Sequence, residues 1–215
     1  LGNRVSGYRF ADLSDNWATE WIEVGEQFEF GEKTFDVGYK SFEWVESVVH
    51  KVKQVGCTST AEMPFRAHTL LGLLDSSIIM FDRKGNIKTL FESLYPYPAK
   101  LKQSLIKDNT TLLLESLEEL ELFAQRNTGN TAFLFHLMRA LDAIAGLLFA
   151  TNERYDPATK HVEFVLSKLK VLPSNFETRY TNLLVGPFTE EGKIKTTASL
   201  RDLADDIIGL SSVVA

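Results

Sequence analysis

The feature that most constrains the fold is a nearly continuous apolar run, residues 132–150, in the middle of the chain. Its length would suit a membrane span, but His136, Arg139 and Asp142 lie inside it, and ionisable groups are costly at that depth. The run therefore predicts a buried helix rather than a membrane-spanning one. We expect this helix to extend over residues 131–154, with Thr131 or Asn130 as its N-cap, and to lie at the centre of the fold.

Composition and charge narrow the classes of function. The 215 residues are 44% hydrophobic, which is enough for a sizeable core. A net charge of −6 and a pI near 5.3 argue against a nucleic-acid surface built on bulk positive charge, although they allow one bound nucleotide. The single cysteine, Cys57, excludes an internal disulfide framework and a cysteine-rich metal site, and we expect a cytoplasmic protein.

Residues 17–39 are rich in aromatic and β-branched side chains and contain two turn glycines, a pattern that predicts two or three antiparallel strands. In the last strand, Phe35, Val37 and Tyr39 share one face and Asp36 lies on the other. Aspartate is a poor strand former. Asp36 is therefore either an acid on the solvated face of an edge strand or a carboxylate held there for function.

After residue 41 the hydrophobic period changes from 2 to 3.6. This pattern predicts helices at 42–55, 65–74, 101–126, 131–154, 161–170 and 199–209, and a short helix that ends at residue 93. A buried strand is expected at 78–81, followed by a turn. The chain is thus predicted to be α+β, with residues 1–56 as a small α/β segment and residues 57–215 as an antiparallel helical bundle.

The polar residues of the apolar helix are the first candidate site. His136, Arg139 and Asp142 are spaced three apart, so neighbouring members can meet along one side of the helix. Arg139 and Asp142 could form a structural ion pair, or Arg139 could bind a ligand, because a buried guanidinium needs a partner and phosphate suits it well. The residues that flank the helix end are Asn152, Tyr155 and Lys160, which taken alone indicate ordinary capping.

Other enzyme signatures are missing from the sequence. It contains no Gly-x-Ser-x-Gly, no P-loop, no Gly-x-Gly-x-x-Gly and no His-Glu-x-x-His. Cys57 has no basic neighbour in sequence that would activate it. Metal-ligand spacing is also lacking among the histidines, which are His50, His68, His136 and His161.

The order of these segments resembles a known family. A strand pair that ends at residues 34–39, the amphipathic helix that starts at residues 42–46 and an all-helical remainder resemble the nucleotidyltransferase superfamily of DNA polymerase β-like fold. The bundle resembles that of the kanamycin-type and related bacterial members. Residues 147–155, followed by Lys160, are similar to the end of the central helix in those proteins.

The resemblance implies a chemistry and a metal. In that family a Gly-Ser motif holds the triphosphate, and an Asp-x-Asp pair with a third acid binds Mg²⁺ for attack of a hydroxyl on the α-phosphate. Asp36 matches the third acid, as metal ligand and catalytic residue. No Gly-Ser followed by Asp-x-Asp precedes it. We therefore expect either that the first part of the catalytic domain lies upstream of Leu1, leaving this chain inactive alone, or that the protein is a degenerate member.

The resemblance implies transfer of a nucleoside monophosphate from an NTP to a hydroxyl on a small molecule or another acceptor. The bundle would supply the acceptor pocket, lined by Arg139, Asp142, Asn152, Tyr155 and Lys160. The sequence leaves open whether the protein forms a homodimer. The alternative is a non-catalytic helical interaction module or a degenerate nucleotide-binding protein.

Overall fold

The structure is a computed structural model that describes residues 24–56, 67–126, 129–157, 162–186 and 188–214. Residues 17–23, Cys57, Lys160 and His161, on which predictions were made, lie outside the described residues. The chain divides into two compact units, residues 1–50 and residues 51–215. The described residues are mostly helical with one two-stranded antiparallel sheet, so the α+β class is confirmed at that level.

The first unit contains a hairpin of β1 (Val24–Phe30) and β2 (Lys33–Tyr39). Residues 31 and 32 form its turn, and Gly31 has φ +63°, a left-handed conformation that favours glycine. Helix α1 (Phe42–Val55) begins in this unit and ends in the second. At its start the Trp44 backbone N–H donates to Ser41 Oγ at 3.2 Å, which is an N-cap interaction.

The second unit is helical. Its helices are α2 (Ala67–Asp75), α3 (Asn86–Glu92), α4 (Ala99–Gln125), α5 (Asn130–Thr151), α6 (Val162–Leu166), α7 (Phe176–Val185) and α8 (Glu190–Val214). Helices α4, α5 and α8 pack against one another, α7 packs on α8 and α6 on α5. The core between them consists of fully buried aliphatic side chains such as Leu117, Leu120, Leu141, Ile144, Leu203 and Ile207. The predicted helical bundle is therefore present.

Helix α5 is long and apolar enough to cross a membrane, with a mean hydropathy of 1.6 over its most apolar window. Of that window, 61% is buried inside the protein. A core helix of a globular protein is mostly buried in the same way and can be equally long and apolar. The packing of α5 against both α4 and α8 agrees with the prediction of a central buried helix.

The strand predicted at residues 78–81 is wrong. These residues form no helix or strand, and their side chains face solvent: Ile78 is 86% exposed, Met80 94% and Phe81 73%. A buried strand needs a neighbouring strand for its backbone hydrogen bonds, and the hairpin is the only sheet in the part of the chain that the structure describes. The segment is an exposed apolar stretch between α2 and α3.

The ends of several helices differ from the prediction, in α8 because polar residues interrupt the apolar period. Helix α5 has Gly129 as its N-cap rather than Thr131 or Asn130, and α6 is shorter than predicted. Helix α7 was not predicted at all. Helix α8 starts nine residues before the predicted residue 199, because the positions that its first turns bury are Lys193, Thr196 and Thr197.

Candidate functional site

Asp36 lies in the middle of β2 and is exposed. On the face predicted to be apolar, Val37 and Tyr39 are half-buried but Phe35 is 41% exposed, and residues 34, 36 and 38 are exposed. The predicted alternation of burial is therefore present only over residues 36–39. In the register of the hairpin, Asp36 pairs with Gln27.

The hairpin register places a second carboxylate near Asp36. Glu29 pairs with Thr34, and directly opposed residues of an antiparallel pair share a face, so Glu29 lies on the same face as Asp36. The sequence carried a signal for this, because the two-residue turn at Gly31 fixes the register. Two carboxylates are too few to enclose Mg²⁺, which keeps several waters and takes further oxygens from substrate phosphates. The described residues contain no group of three or more His, Cys, Asp or Glu that could hold a metal ion.

Arg139 and Asp142 lie on a half-buried stripe of α5. The Arg139 guanidinium lies 5.8 Å from the centre of the Phe135 ring, a cation–π distance. Asp142 interacts electrostatically with Tyr180 on α7. The pKa of Tyr180 is raised to about 12 by burial and then by the charges of Glu163 and Asp142. These two predicted site residues thus face different neighbours.

Asn152 has a structural role at the end of α5. Its side-chain nitrogen donates to the carbonyl oxygens of Leu148 and Val171, both at 2.9 Å. Its side-chain oxygen accepts from the backbone N–H groups of Lys170, at 3.0 Å, and Val171, at 2.8 Å. All the usual hydrogen-bonding positions of the amide are engaged in holding the segment after α6 against the end of α5.

Tyr155 is also held by the fold. Its hydroxyl donates to the carbonyl oxygen of Leu94, and its ring lies 4.8 Å from that of Tyr97 and 5.9 Å from that of Tyr95. Burial raises the pKa of both Tyr155 and Tyr97. Tyr95 donates to Asp75 at 2.7 Å, and burial together with that hydrogen bond raises the pKa of Tyr95 to about 12. This cluster fastens the residues after α5 to the segment before α4.

The predicted lining residues do not meet at one point. Arg139 and Asn152 are separated by about 20 Å along α5, at a rise of about 1.5 Å per residue. Asp142 lies toward α7, whereas Asn152 and Tyr155 hold two connecting segments at the other end of the helix. Lys160 lies outside the described residues. A pocket that uses all five residues therefore stays a prediction.

A pocket of about 310 Å³ lies between α6 and α7. Its lining is aromatic and acidic and consists of Glu163, Phe164, Leu166, Ser167, Phe176, Glu177, Tyr180 and Thr181. The sequence pattern did not predict this pocket, because α7 was not among the predicted helices. The available signal was the helical spacing of Phe176, Tyr180 and Leu183, which are the buried residues of that helix.

No family model matches the chain, and no curated protein or solved structure is significantly similar to it. The resemblance to nucleotidyltransferases therefore has no support from these comparisons. The features that bear on function are Asp36, the polar residues of α5 and the α6–α7 pocket.

The structural role of Asn152 is testable by substitution. We expect Asn152→Ala to lower the free energy of unfolding by about 2–3 kcal/mol, because the backbone groups of Val171 lose their partners in a partly buried place. Asn152→Asp keeps the acceptor for the backbone N–H groups but places a second oxygen against the Leu148 and Val171 carbonyl oxygens, so it should not restore the lost stability. Urea denaturation of the three proteins measures the difference. A change below about 0.5 kcal/mol for Asn152→Ala would show that water replaces these bonds without loss.

Proposed function

We propose that the chain is part of a nucleotidyltransferase that transfers a nucleoside monophosphate from an NTP to a hydroxyl acceptor. The observation that supports this most is the exposed carboxylate of Asp36 in mid-strand, with Glu29 on the same face of the hairpin. Exposed acids are ordinary on a protein surface, but aspartate is unfavourable inside a strand. A role in metal binding accounts for its position.

The proposed step is an in-line displacement. A carboxylate accepts the proton of the acceptor hydroxyl, and the hydroxyl oxygen forms a bond to the α-phosphorus. The bond from the α-phosphorus to the oxygen that bridges to the β-phosphate breaks, and pyrophosphate leaves. Mg²⁺, when bound, would neutralise charge on the phosphates. Asp36 would be one of its ligands or the base, and further ligands would come from outside the described residues or from substrate and water.

The helical unit would bind the acceptor. Of the predicted lining residues, Arg139 and Asp142 are better candidates for contact with a ligand than Asn152 and Tyr155, whose polar atoms hold neighbouring segments. Lys160 stays a candidate from the sequence alone. Substitution of Arg139 or Asp142 should then change the KM for the acceptor more than that for the NTP.

The test uses protein made from the complete reading frame. Equilibrium dialysis with each α-labelled NTP, with and without Mg²⁺, measures nucleotide binding, and pyrophosphate release with a panel of small hydroxyl compounds measures transfer. We expect Mg²⁺-dependent binding of at least one NTP and release that EDTA abolishes. If none of the four NTPs binds in the presence of Mg²⁺, the proposal is wrong.

The second candidate is a non-catalytic interaction module, and the exposed segment of residues 78–81 favours it. Contiguous exposed apolar side chains often mark a contact surface. A second copy of the chain is the occupant to test, since a homodimer was left open by the sequence. If this reading holds, the combined change Met80→Ser and Phe81→Ser converts a dimer to a monomer in light scattering, and no NTP binds. If the wild-type protein is a monomer, this second candidate is wrong.

A further inference from the structure

The α6–α7 pocket has features that its place in the fold does not explain. Tyr180 is 93% buried, being 7% exposed, yet it lines the pocket, and its hydroxyl makes no hydrogen bond with any residue that the structure describes. The ring of Tyr180 is buried, whereas its hydroxyl oxygen is not among the buried unpaired atoms of the described residues and so is accessible from the pocket. A ligand in the pocket can therefore reach this oxygen and donate a hydrogen bond to it.

The charged residues that line the pocket are both acidic, and Lys168 lies at its edge on the Phe164 ring. Glu163 and Glu177 line the pocket, and both Glu163 and Asp142 act electrostatically on Tyr180. An anionic ligand would be repelled here, since like charges close together are unfavourable. A cation would be attracted by the carboxylates and could donate an N–H to the Tyr180 oxygen.

The walls of the pocket are aromatic. Phe164 and Phe176 both line it, and Phe176 stacks on Tyr180 with ring centres 5.3 Å apart. The Phe164 ring already binds an ammonium group of the protein itself, because Lys168 Nζ lies 3.5 Å from its centre. Aromatic faces combined with carboxylates are well suited to an organic cation, whose charged nitrogen and carbon skeleton each find a partner.

We propose that the α6–α7 pocket binds a small organic ammonium ion. The nitrogen lies between Glu163 and the Tyr180 hydroxyl, and the carbon skeleton packs on Phe164 and Phe176. The volume of about 310 Å³ is at the lower end of the range for small-molecule sites, which limits the ligand to a compact molecule. The proposal rests on this pocket alone and does not depend on nucleotidyl transfer.

Three probes of similar shape separate charge from simple apolar binding. They are 2-phenylethylammonium, 2-phenylethanol and 3-phenylpropanoate, and ligand-observed NMR titration against the whole protein measures each dissociation constant. We expect the ammonium compound to bind with a Kd on the order of 0.1–1 mM, at least about tenfold more tightly than the alcohol, and the carboxylate not to bind. Equal binding of ammonium and alcohol would overturn the proposal.

Two variants locate the site. Glu163→Gln and Tyr180→Phe should each weaken binding of 2-phenylethylammonium by about five- to tenfold, because each removes one polar partner of the nitrogen and keeps the side-chain shape. Glu119→Gln removes the same charge from an exposed position on α4 and serves as the control, with unchanged affinity expected. Glu163 is exposed, so its variant should fold even if Tyr180→Phe does not. Wild-type affinity in Glu163→Gln would exclude this pocket as the site.

Discussion

In protein made from the complete reading frame, Asp36→Asn is expected to lower nucleotidyl transfer by about 10²–10⁴-fold. The substitution removes a negative charge and keeps the size of the side chain. If Asp36 is the base, its loss typically costs that much in rate, and if it is a metal ligand, the affinity for Mg²⁺ falls as well. Release of pyrophosphate at several Mg²⁺ concentrations measures both effects, since added Mg²⁺ should partly restore a variant that lost only metal affinity.

The fold should tolerate this change. Asp36 is exposed, and exposed substitutions usually alter the free energy of unfolding by less than about 0.5 kcal/mol. Asp205→Asn, the same change at an exposed position of α8, is the matched control and should leave both transfer and melting unchanged. Equal transfer by Asp36→Asn and wild type would remove Asp36 from the mechanism. A variant that loses activity because it no longer folds would favour a structural role for the acid.

The elements that were predicted correctly are those in which the local hydrophobic pattern of the sequence matches the burial of the side chains in the fold. Helices α1 and α4 follow the apolar period over most of their length, and the hairpin is defined by alternation on both sides of Gly31. Residues 78–81 show the limit of such patterns. An apolar stretch of β-forming residues has the same local preferences whether or not a neighbouring strand exists to pair with it.

The site was less predictable because its geometry depends on distant parts of the chain. Asn152 stands at a helix end, where capping was expected, but the segment that it binds follows 18 and 19 residues later. Nothing in the local sequence indicates that its amide is fully engaged. The α6–α7 pocket depends on α7, whose apolar spacing was obscured by the proline and asparagine that precede Phe176.

Alanine substitution at three glycines of the second unit should change stability in different directions, and Gly72→Ala should lower it most. A Cβ on Gly72 would lie 1.8 Å from the backbone oxygen of Asp156, so α2 and the segment after α5 must move apart. Overpacking of this kind typically costs about 1–3 kcal/mol, and we expect about 3 kcal/mol because the obstacle is backbone. For a chain of this size that corresponds to a fall in Tm of about 6–12 °C.

The other two glycines provide graded controls. A Cβ on Gly146 would lie 2.6 Å from the Asn109 side chain, which is buried and donates to the Leu105 oxygen at 2.8 Å, so Gly146→Ala should cost less than Gly72→Ala but still destabilise. Gly209 lies in α8 with nothing within 4 Å, and Gly209→Ala should raise stability by about 0.5–1 kcal/mol through helix propensity. Thermal melting should therefore rank the proteins with Gly209→Ala highest, then wild type, Gly146→Ala and Gly72→Ala. If Gly72→Ala melts at or above wild type, α2 does not pack on residue 156 as closely as described, and the attachment of the Tyr155 cluster to α2 is wrong.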